Sequence, residues 1–281
     1  MSAQTLLVCP ICSAPLSLNQ NMLQCEQKHT FDLAREGYVN LLRKKPSGDT
    51  REMLQARRAF LAQGYYQPLS DALNQLLTPA LLTTFPQQEP LYLLDAGCGE
   101  GYYLQRAHTY LTDQQIQSIS LGIDISKDAI RMAARQDKAA FFLVANLKEQ
   151  LPLKEHGLHA ILNIFAPRNI PEYARTLAPQ GYLLVAIPGP QHLQPLRTHL
   201  NLLQIEEDKQ QHVIEQCSKH FQLLNTHILT YKLHLQQAEI EQIVMMTPNY
   251  WHLSDAERQQ LKTISDMIIT TEFQCLLFQR L

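Results

Sequence analysis

Apolar runs of strand length recur through the middle of the chain, and each meets a polar residue at or near its end. Leu91 to Leu94 runs into Asp95, Leu121 to Ile125 carries Asp124, and Phe141 to Ala145 stops at Asn146. His159 to Phe165 carries Asn163, and a fifth run begins at Tyr182-Leu183. Apolar runs of this kind read as strands buried on both faces of a parallel sheet. The stretches between them have helical periodicity. Tyr102, Tyr103 and Leu104 open one helix. Ser126 caps another, whose Ala129, Ile130, Ala133 and Ala134 share an apolar side. Strand and helix in alternation predict an open α/β sheet, which binds ligands at the carboxyl edge of its strands. Asp95, Asp124, Asn146 and Asn163 all fall at that edge.

Two helices are predicted ahead of the first strand. Met53, Ala56, Phe60 and Leu61 share one face, with Arg51, Gln55 and Arg58 opposite. Asp49 with Glu52 resembles a capping box, and Gly64 is a C-terminal stop. Arg57 falls toward the apolar face; it has either a specific partner there or a stem that snorkels to solvent. Leu69, Leu73, Leu76 and Leu77 mark the second helix.

The turn after the first strand narrows the chemistry. Its pattern is Asp95-x-Gly97-x-Gly99-x-Gly101. A dinucleotide fingerprint, G-x-G-x-x-G, puts its third glycine one position later. The spacing here resembles motif I of class I S-adenosylmethionine (SAM) methyltransferases. That resemblance implies a seven-stranded Rossmann-like sheet with the cofactor at the glycine turn. An acid at the strand end, Asp95, suits the amino group of SAM, which has no pyrophosphate to neutralise. Asp124 lies where an acid accepts hydrogen bonds from both ribose hydroxyls. Asn146 stands where a polar side chain reads adenine in such folds. Tyr173 to Leu183 resembles the helix, tight turn and fifth strand of the same superfamily, with Gln180-Gly181 in place of the usual Gly-Gly.

The amino-terminal region has a different chemistry. Cys9-Pro10-Ile11-Cys12 is followed by Cys25 and His29. A C-x-x-C turn sets two thiolates one tetrahedral edge apart, and the second pair completes four ligands. Four protein ligands close the shell, so a zinc ion here is structural. A disulfide or unrelated cysteines are the competing readings, and a clustered Cys/His set in a chain without secretion signals favours metal. Leu16, Leu18, Leu23 and Phe31 are the few residues the segment has to bury, so the metal is expected to help it fold. Cys98, Cys217 and Cys275 lie apart on apolar segments and read as buried thiols.

The 281 residues accommodate one large domain and a small one. The expected division is residues 1–45 as a zinc-binding RNA-recognition module, 46–85 as a helical linker and 86–281 as the methyltransferase domain. No apolar run approaches the roughly eighteen residues of a membrane span. Residues 1–8 are short and uncharged for a leader, so a cytoplasmic location is expected. The net charge of −2 argues against a basic coat for nucleic acid. Residues 1–64, however, hold eight Lys/Arg against five Asp/Glu. Arg43-Lys44-Lys45 with Arg51, Arg57 and Arg58 is either a solvated face or, beside a zinc module, a phosphate-contacting patch.

Taken together, the motifs resemble the bacterial 23S rRNA guanine-N1 methyltransferase family of the RlmA type. The resemblance runs through Cys9-Pro-x-Cys12, Cys25-x-x-x-His29, Phe31 to Leu42, Met53 to Leu61, and Gly64 to Leu69. It continues in Asp95 to Tyr103, Pro188 to Leu193 and Met246-Thr247-Pro248. It implies Cys9, Cys12, Cys25 and His29 as zinc ligands, and Tyr66, Gly99, Glu100 and His192 as SAM contacts. It also implies a hairpin of 23S rRNA as substrate, methylated at a guanine of the nucleotide-745 type. Family-like proteins often pair around RNA, so a homodimer is compatible with it. Asn163-Ile164-Phe165-Ala166-Pro167 and Ala145-Asn146-Leu147-Lys148 depart from the familiar family pattern at the edge of the reactive site. No residue announces itself as the base that takes the guanine N1 proton; His192 reads as a SAM contact first and a proton acceptor second. A small-molecule methyltransferase and an RNA-binding factor with an inactive SAM fold are the alternatives. The zinc motif argues against the former, and the intact Asp95, glycines and Asp124 against the latter.

Overall fold

The computed structural model describes residues 3–42, 48–85, 89–200, 202, 205–206, 208–247, 250 and 253–281. The basic run Arg43-Lys44-Lys45 lies outside them. A short 3-10 turn, Ala3–Leu6, precedes a three-stranded antiparallel sheet of β1 (Ser17–Asn19), β2 (Met22–Gln24) and β3 (Thr30–Asp32). Leu16 and Leu23 are buried beneath it with Cys9 and Cys25, whereas Leu18 is exposed. A two-residue strand, β4 (Val39–Asn40), then leaves this unit and pairs in parallel with β7 (Phe141–Val144). The amino-terminal unit is therefore stitched to the large sheet by main-chain hydrogen bonds. The Leu7–Leu153 bridge makes a second seam.

Helix α1 (Arg51–Ala62) begins one residue later than the capping box predicted. Thr50 is its cap, accepting from Met53 N at 3.4 Å. Asp49 is freed from that role by its pairing with Arg57. Tyr66 opens α2 (Gln67–Thr84), whose Leu69, Leu73 and Leu77 are buried as the periodicity predicted.

The large sheet follows in β5 (Leu91–Ala96), β6 (Ser118–Asp124), β7, β8 (Leu158–Ile164), β9 (Leu177–Pro188), β10 (Phe221–Gln236) and β11 (Asp266–Arg280). Helices α3 (Tyr102–Asp113), α4 (Lys127–Gln136) and α5 (Ile170–Thr176) connect the parallel strands. The strand order is β10-β11-β9-β8-β5-β6-β7-β4, with β11 antiparallel to both neighbours. Seven strands were predicted, and all seven are present; β4 from the zinc unit adds an eighth. The order reverses at β5, since β6 lies on one side of it and β8 on the other. The carboxyl edge at that point is the ligand crevice of an open α/β sheet.

Adjacent strand residues divide between the two faces. Leu94, Leu121, Ile123 and Leu143 share a core with Leu16, Leu23, Val39 and the zinc-unit cysteines Cys9 and Cys25. Leu91, Leu93, Ala160 and Leu162 pack instead with Phe60 of α1 and the leucines of α2. The predicted module and linker thus share the cores of the sheet domain, because neither has enough apolar surface for a core of its own. Beyond β9 come α6 (Gln194–His199), α7 (Lys209–Cys217), α8 (Gln237–Met245) and α9 (Asp255–Leu261). No described helix is long and apolar enough to cross a membrane.

Candidate active site and metal centre

Cys9, Cys12, Cys25 and His29 bring their ligand atoms within 4.8 Å of one another. Cys12 Sγ and Cys25 Sγ are 3.7 Å apart, and His29 Nδ1 is 3.5 Å from both Cys9 Sγ and Cys25 Sγ. A tetrahedron with Zn–S near 2.3 Å and Zn–N near 2.05 Å has S–S edges of about 3.8 Å and S–N edges of about 3.6 Å. Three of the six edges have about these lengths and the rest stay within 4.8 Å, so the four side chains suit zinc, and the cysteines are not joined in a disulfide. Ile11 N donates to Cys9 Sγ at 3.4 Å, the kind of outer hydrogen bond that fixes a ligating thiolate.

The turn after β5 is built from left-handed glycines. Gly97 has φ +92°, and a Cβ on it would lie 2.3 Å from the methyl of Ala166. Gly99 has φ +53° and lies beneath the Arg57 guanidinium, whose Nη1 is 3.3 Å from where a Cβ would be. Asp124 ties this loop to β6: its Oδ2 accepts from Gly99 N at 3.0 Å and its Oδ1 from Ser126 N at 2.8 Å.

Three carboxyls converge here, Asp95 and Glu100 buried and Asp124 half-buried. Asp95 is pushed up to about 8, first by burial and then by the charges of Asp124 and Glu100. Burial also raises Glu100, with Arg57 opposing it, and raises Asp124 against the two backbone hydrogen bonds. Asp95 Oδ2, Glu100 Oε2 and the Tyr103 hydroxyl are buried without a hydrogen bond. Unsatisfied acidic oxygens beside a glycine turn fit a cationic, amino-bearing nucleoside, which describes SAM. Such a ligand returns a positive charge to a site that otherwise concentrates negative charge.

Tyr66 and His192 close the other end. Tyr66 Oη is 3.3 Å from His192 Nε2, and both residues are buried. Glu272 N donates to His192 Nδ1 at 3.3 Å, so the ring proton sits on Nε2 and points at Tyr66. Burial, with Arg197 and Lys209 adding repulsion, lowers His192 to about 3. Burial thus favours its neutral form, with Nε2 facing the Tyr66 hydroxyl. Phe273 fills the space between these rings, 4.9 Å from Tyr66 and 4.8 Å from His192 between centroids.

Asn146 stands at the end of β7 with its amide committed locally. Its Nδ2 donates to Glu149 and its Oδ1 accepts from Lys148 N. Asn163 is wholly buried beneath the next loop, and its Nδ2 lies within hydrogen-bonding distance of Ala96 O, Pro167 O and Tyr173 Oη.

Residues 7–47 match the family described as RlmA, N-terminal, a zinc ribbon, and residues 94–185 match a methyltransferase domain. A 23S rRNA (guanine(748)-N(1))-methyltransferase of Streptomyces fradiae is 39% identical over 248 residues, covering 88% of this chain and 86% of that protein. The chain belongs to the RlmA-type guanine-N1 methyltransferase family. A putative 23S rRNA (guanine-N(1)-)-methyltransferase of Micromonospora griseorubida is 36% identical over 89% of this chain and 88% of its own length. A third relative, from Bacillus subtilis and also described as putative, is 28% identical over 96% of this chain and 95% of its own. Zinc and SAM are thus the groups that this RlmA-type chain is built to hold.

Asp49 and Tyr103 carry no sequence signal as parts of this site, and the sequence leaves Arg57 open between a specific partner and solvent. Arg57 Nη2 pairs with Asp49 Oδ2 at 2.6 Å and donates to Met246 O at 3.3 Å. Its unexpected place on the apolar face of α1 was the signal, and a specific partner is the reading that holds.

Proposed function

We propose that this RlmA-type protein transfers the methyl group of SAM to N1 of a guanine in a hairpin of 23S rRNA. The observation that carries the reading is the β4–β7 pairing. It fixes the zinc unit at the sheet edge against β7, whose other neighbour, β6, ends in Asp124. A small acceptor has no use for such an attachment, whereas an RNA stem gains a second surface of contact next to the reacting base. In this reading residues 1–45 read RNA, 46–85 join the two parts and 86–281 carry the reaction.

Bound SAM supplies an electrophilic methyl on a sulfonium. The chain's own residues then orient and exclude water. Asp95 and Glu100 take the amino end, Asp124 the ribose, and the His192–Tyr66 pair the remaining polar edge near the methionine moiety. Guanine N1 carries a proton at neutral pH and lies on the Watson–Crick edge, so the base must leave any pairing before transfer. Burial disfavours a cationic His192, so the N1 proton leaves to solvent water at the rim. Alignment of acceptor, methyl and sulfur supplies the larger share of such a rate enhancement.

The test is incubation with methyl-labelled SAM and 23S rRNA from a strain lacking this modification, followed by digestion and nucleoside identification. Label in 1-methylguanosine is expected. Its position separates a 745-type enzyme, as the motif pattern suggests, from the 748 specificity for which the Streptomyces fradiae relative is named. Label in another nucleoside, or transfer only to small molecules, overturns the proposal.

A further inference from the structure

The loop that leaves β8 holds its first residue under strain. Phe165 has φ +53°, the left-handed region, which a bulky side chain rarely adopts. Its surroundings hold it there. Phe165 N donates to Ala186 O at 3.1 Å. Asn163 grips Pro167 O from below at 3.0 Å, and the Ala166 methyl presses on Gly97. Strain that is fixed from several sides, at the edge of a reactive site, needs a use.

The strain places an aromatic ring in solvent. All nine phenylalanines lie in described segments, and Phe165 alone is exposed, at 44%. Its ring leans on Phe273 at 5.7 Å and on Tyr103 at 6.5 Å between centroids. Phe273 in turn touches both Tyr66 and His192. The ring is thus one aromatic layer from the Tyr66–His192 pair, and the residue after it, Ala166, abuts Gly97. The other exposed large apolar residues lie elsewhere: Ile11 and Leu18 on the zinc unit, Leu224, Ile228 and Ile268 on the β10–β11 hairpin, and Leu281 at the last position.

We propose that Phe165 is the platform on which the target guanine stacks once it has left its RNA neighbours. The inference rests on the guanine-N1 reading above. A base taken out of a helix or loop loses the π-contacts of its neighbours, and an aromatic face replaces them. Stacking engages the face of the guanine and leaves its Watson–Crick edge free. N1 then lies in the plane where the methyl must arrive. A rigid platform fixes that plane, and the grip of Asn163 and the Gly97–Ala166 contact make this one rigid.

The test compares the wild type with Phe165→Ala and Phe165→Tyr in three measurements. These are methyl transfer to the rRNA hairpin, SAM binding by calorimetry, and emission of a hairpin carrying 2-aminopurine at the target position. Phe165→Ala should lower kcat/KM for RNA on the order of 10- to 100-fold, leave SAM affinity within about twofold, and alter the emission change seen on binding. Phe165→Tyr keeps the π-face and should restore transfer and emission together. Unchanged transfer and emission in Phe165→Ala would overturn the inference. So would a parallel loss of SAM affinity, which would make Phe165 a wall of the cofactor site. If the wild type fails to methylate guanine N1, the assignment of substrate falls as well, a result distinct from transfer that survives the loss of the ring.

Discussion

Arg57 Nη1 lies 3.9 Å from Glu100 Oε2, and this contact joins the helix that follows the zinc unit to the glycine loop. Glu100 is nearly enclosed, with 5% of its side chain exposed, while Arg57 keeps 24%. The arginine also pairs with Asp49, so the segment just before α1 is drawn onto the same loop.

Replacing Arg57 by methionine removes the counter-charge but keeps most of the apolar stem. Burial holds Glu100 above the usual carboxylate range, and Arg57 pulls it back. Without the arginine the shift grows. A carboxyl raised in the folded state favours folding below its unfolded pKa and loses that advantage as pH rises through the folded pKa. Arg57→Met should therefore lie close to the parent at pH 5 and below it at pH 8. For a partly exposed pair the difference is about 1–3 kcal/mol. Thermal unfolding at the two pH values checks this, and an equal loss at both would refute the electrostatic account.

The sheet, its strand ends and the zinc ligands were legible because each has a local signature. Apolar runs give the buried strands, the alternate glycines give the turn, and the C-x-x-C spacing gives the metal. The sequence placed Ser126 correctly as a cap, since Ser126 Oγ accepts from Ala129 N at 3.3 Å. It placed the α1 cap one residue early, because Asp49 and Thr50 are both good caps and only tertiary structure shows that Asp49 is needed by Arg57. The eighth strand was illegible for a related reason. Val39-Asn40 is too short to show a period, and its pairing with Leu143 and Val144 is a contact about a hundred residues away in sequence. The neutrality of His192 depends on enclosure by distant elements and on Arg197, which no local pattern reports.

Asp95 offers a second pH test with the same sign. Its carboxyl rises from the usual range to about 8 on folding. Between those values the native protein retains a proton that the unfolded chain has released, so stability falls as pH rises through that window. Asp95→Asn abolishes the charge at nearly constant shape. The cofactor-free variant should melt higher than the parent at pH 8 and close to it at pH 5. SAM affinity should drop on the order of 100-fold, as the amino group loses an ionic acceptor. Calorimetry and melting curves on one preparation read both effects, and a variant that melts lower at pH 8 would contradict the argument.

Metal removal should reach well beyond the zinc unit. Cys9 and Cys25 belong to the same buried cluster as Leu121, Ile123 and Leu143 of the sheet. Loosening the four ligands exposes that face of β6 and β7. Chelation, or Cys12→Ser, should lower the melting temperature by roughly 5–15 °C in a single transition and weaken SAM binding with it. Two separate transitions, with the SAM-dependent one unmoved, would show that the unit folds and fails alone.

The contact between Gly97 and Ala166 sets the gap between the glycine turn after β5 and the loop after β8. A Cβ at residue 97 would meet the Ala166 methyl at 2.3 Å, and the backbone there has φ +92°. Gly97→Ala therefore combines a clash with a conformational cost, about 2–4 kcal/mol together. The two components can be separated. Ala166→Gly in the same protein removes the atom that is struck but leaves the left-handed backbone unchanged. The double variant should recover about half of the lost stability and much of the lost SAM affinity, so the pair should be non-additive in a double-mutant cycle. Full recovery would mean that the clash alone matters. No recovery would mean that the φ of Gly97 governs the turn, and that Ala166 gives way without cost.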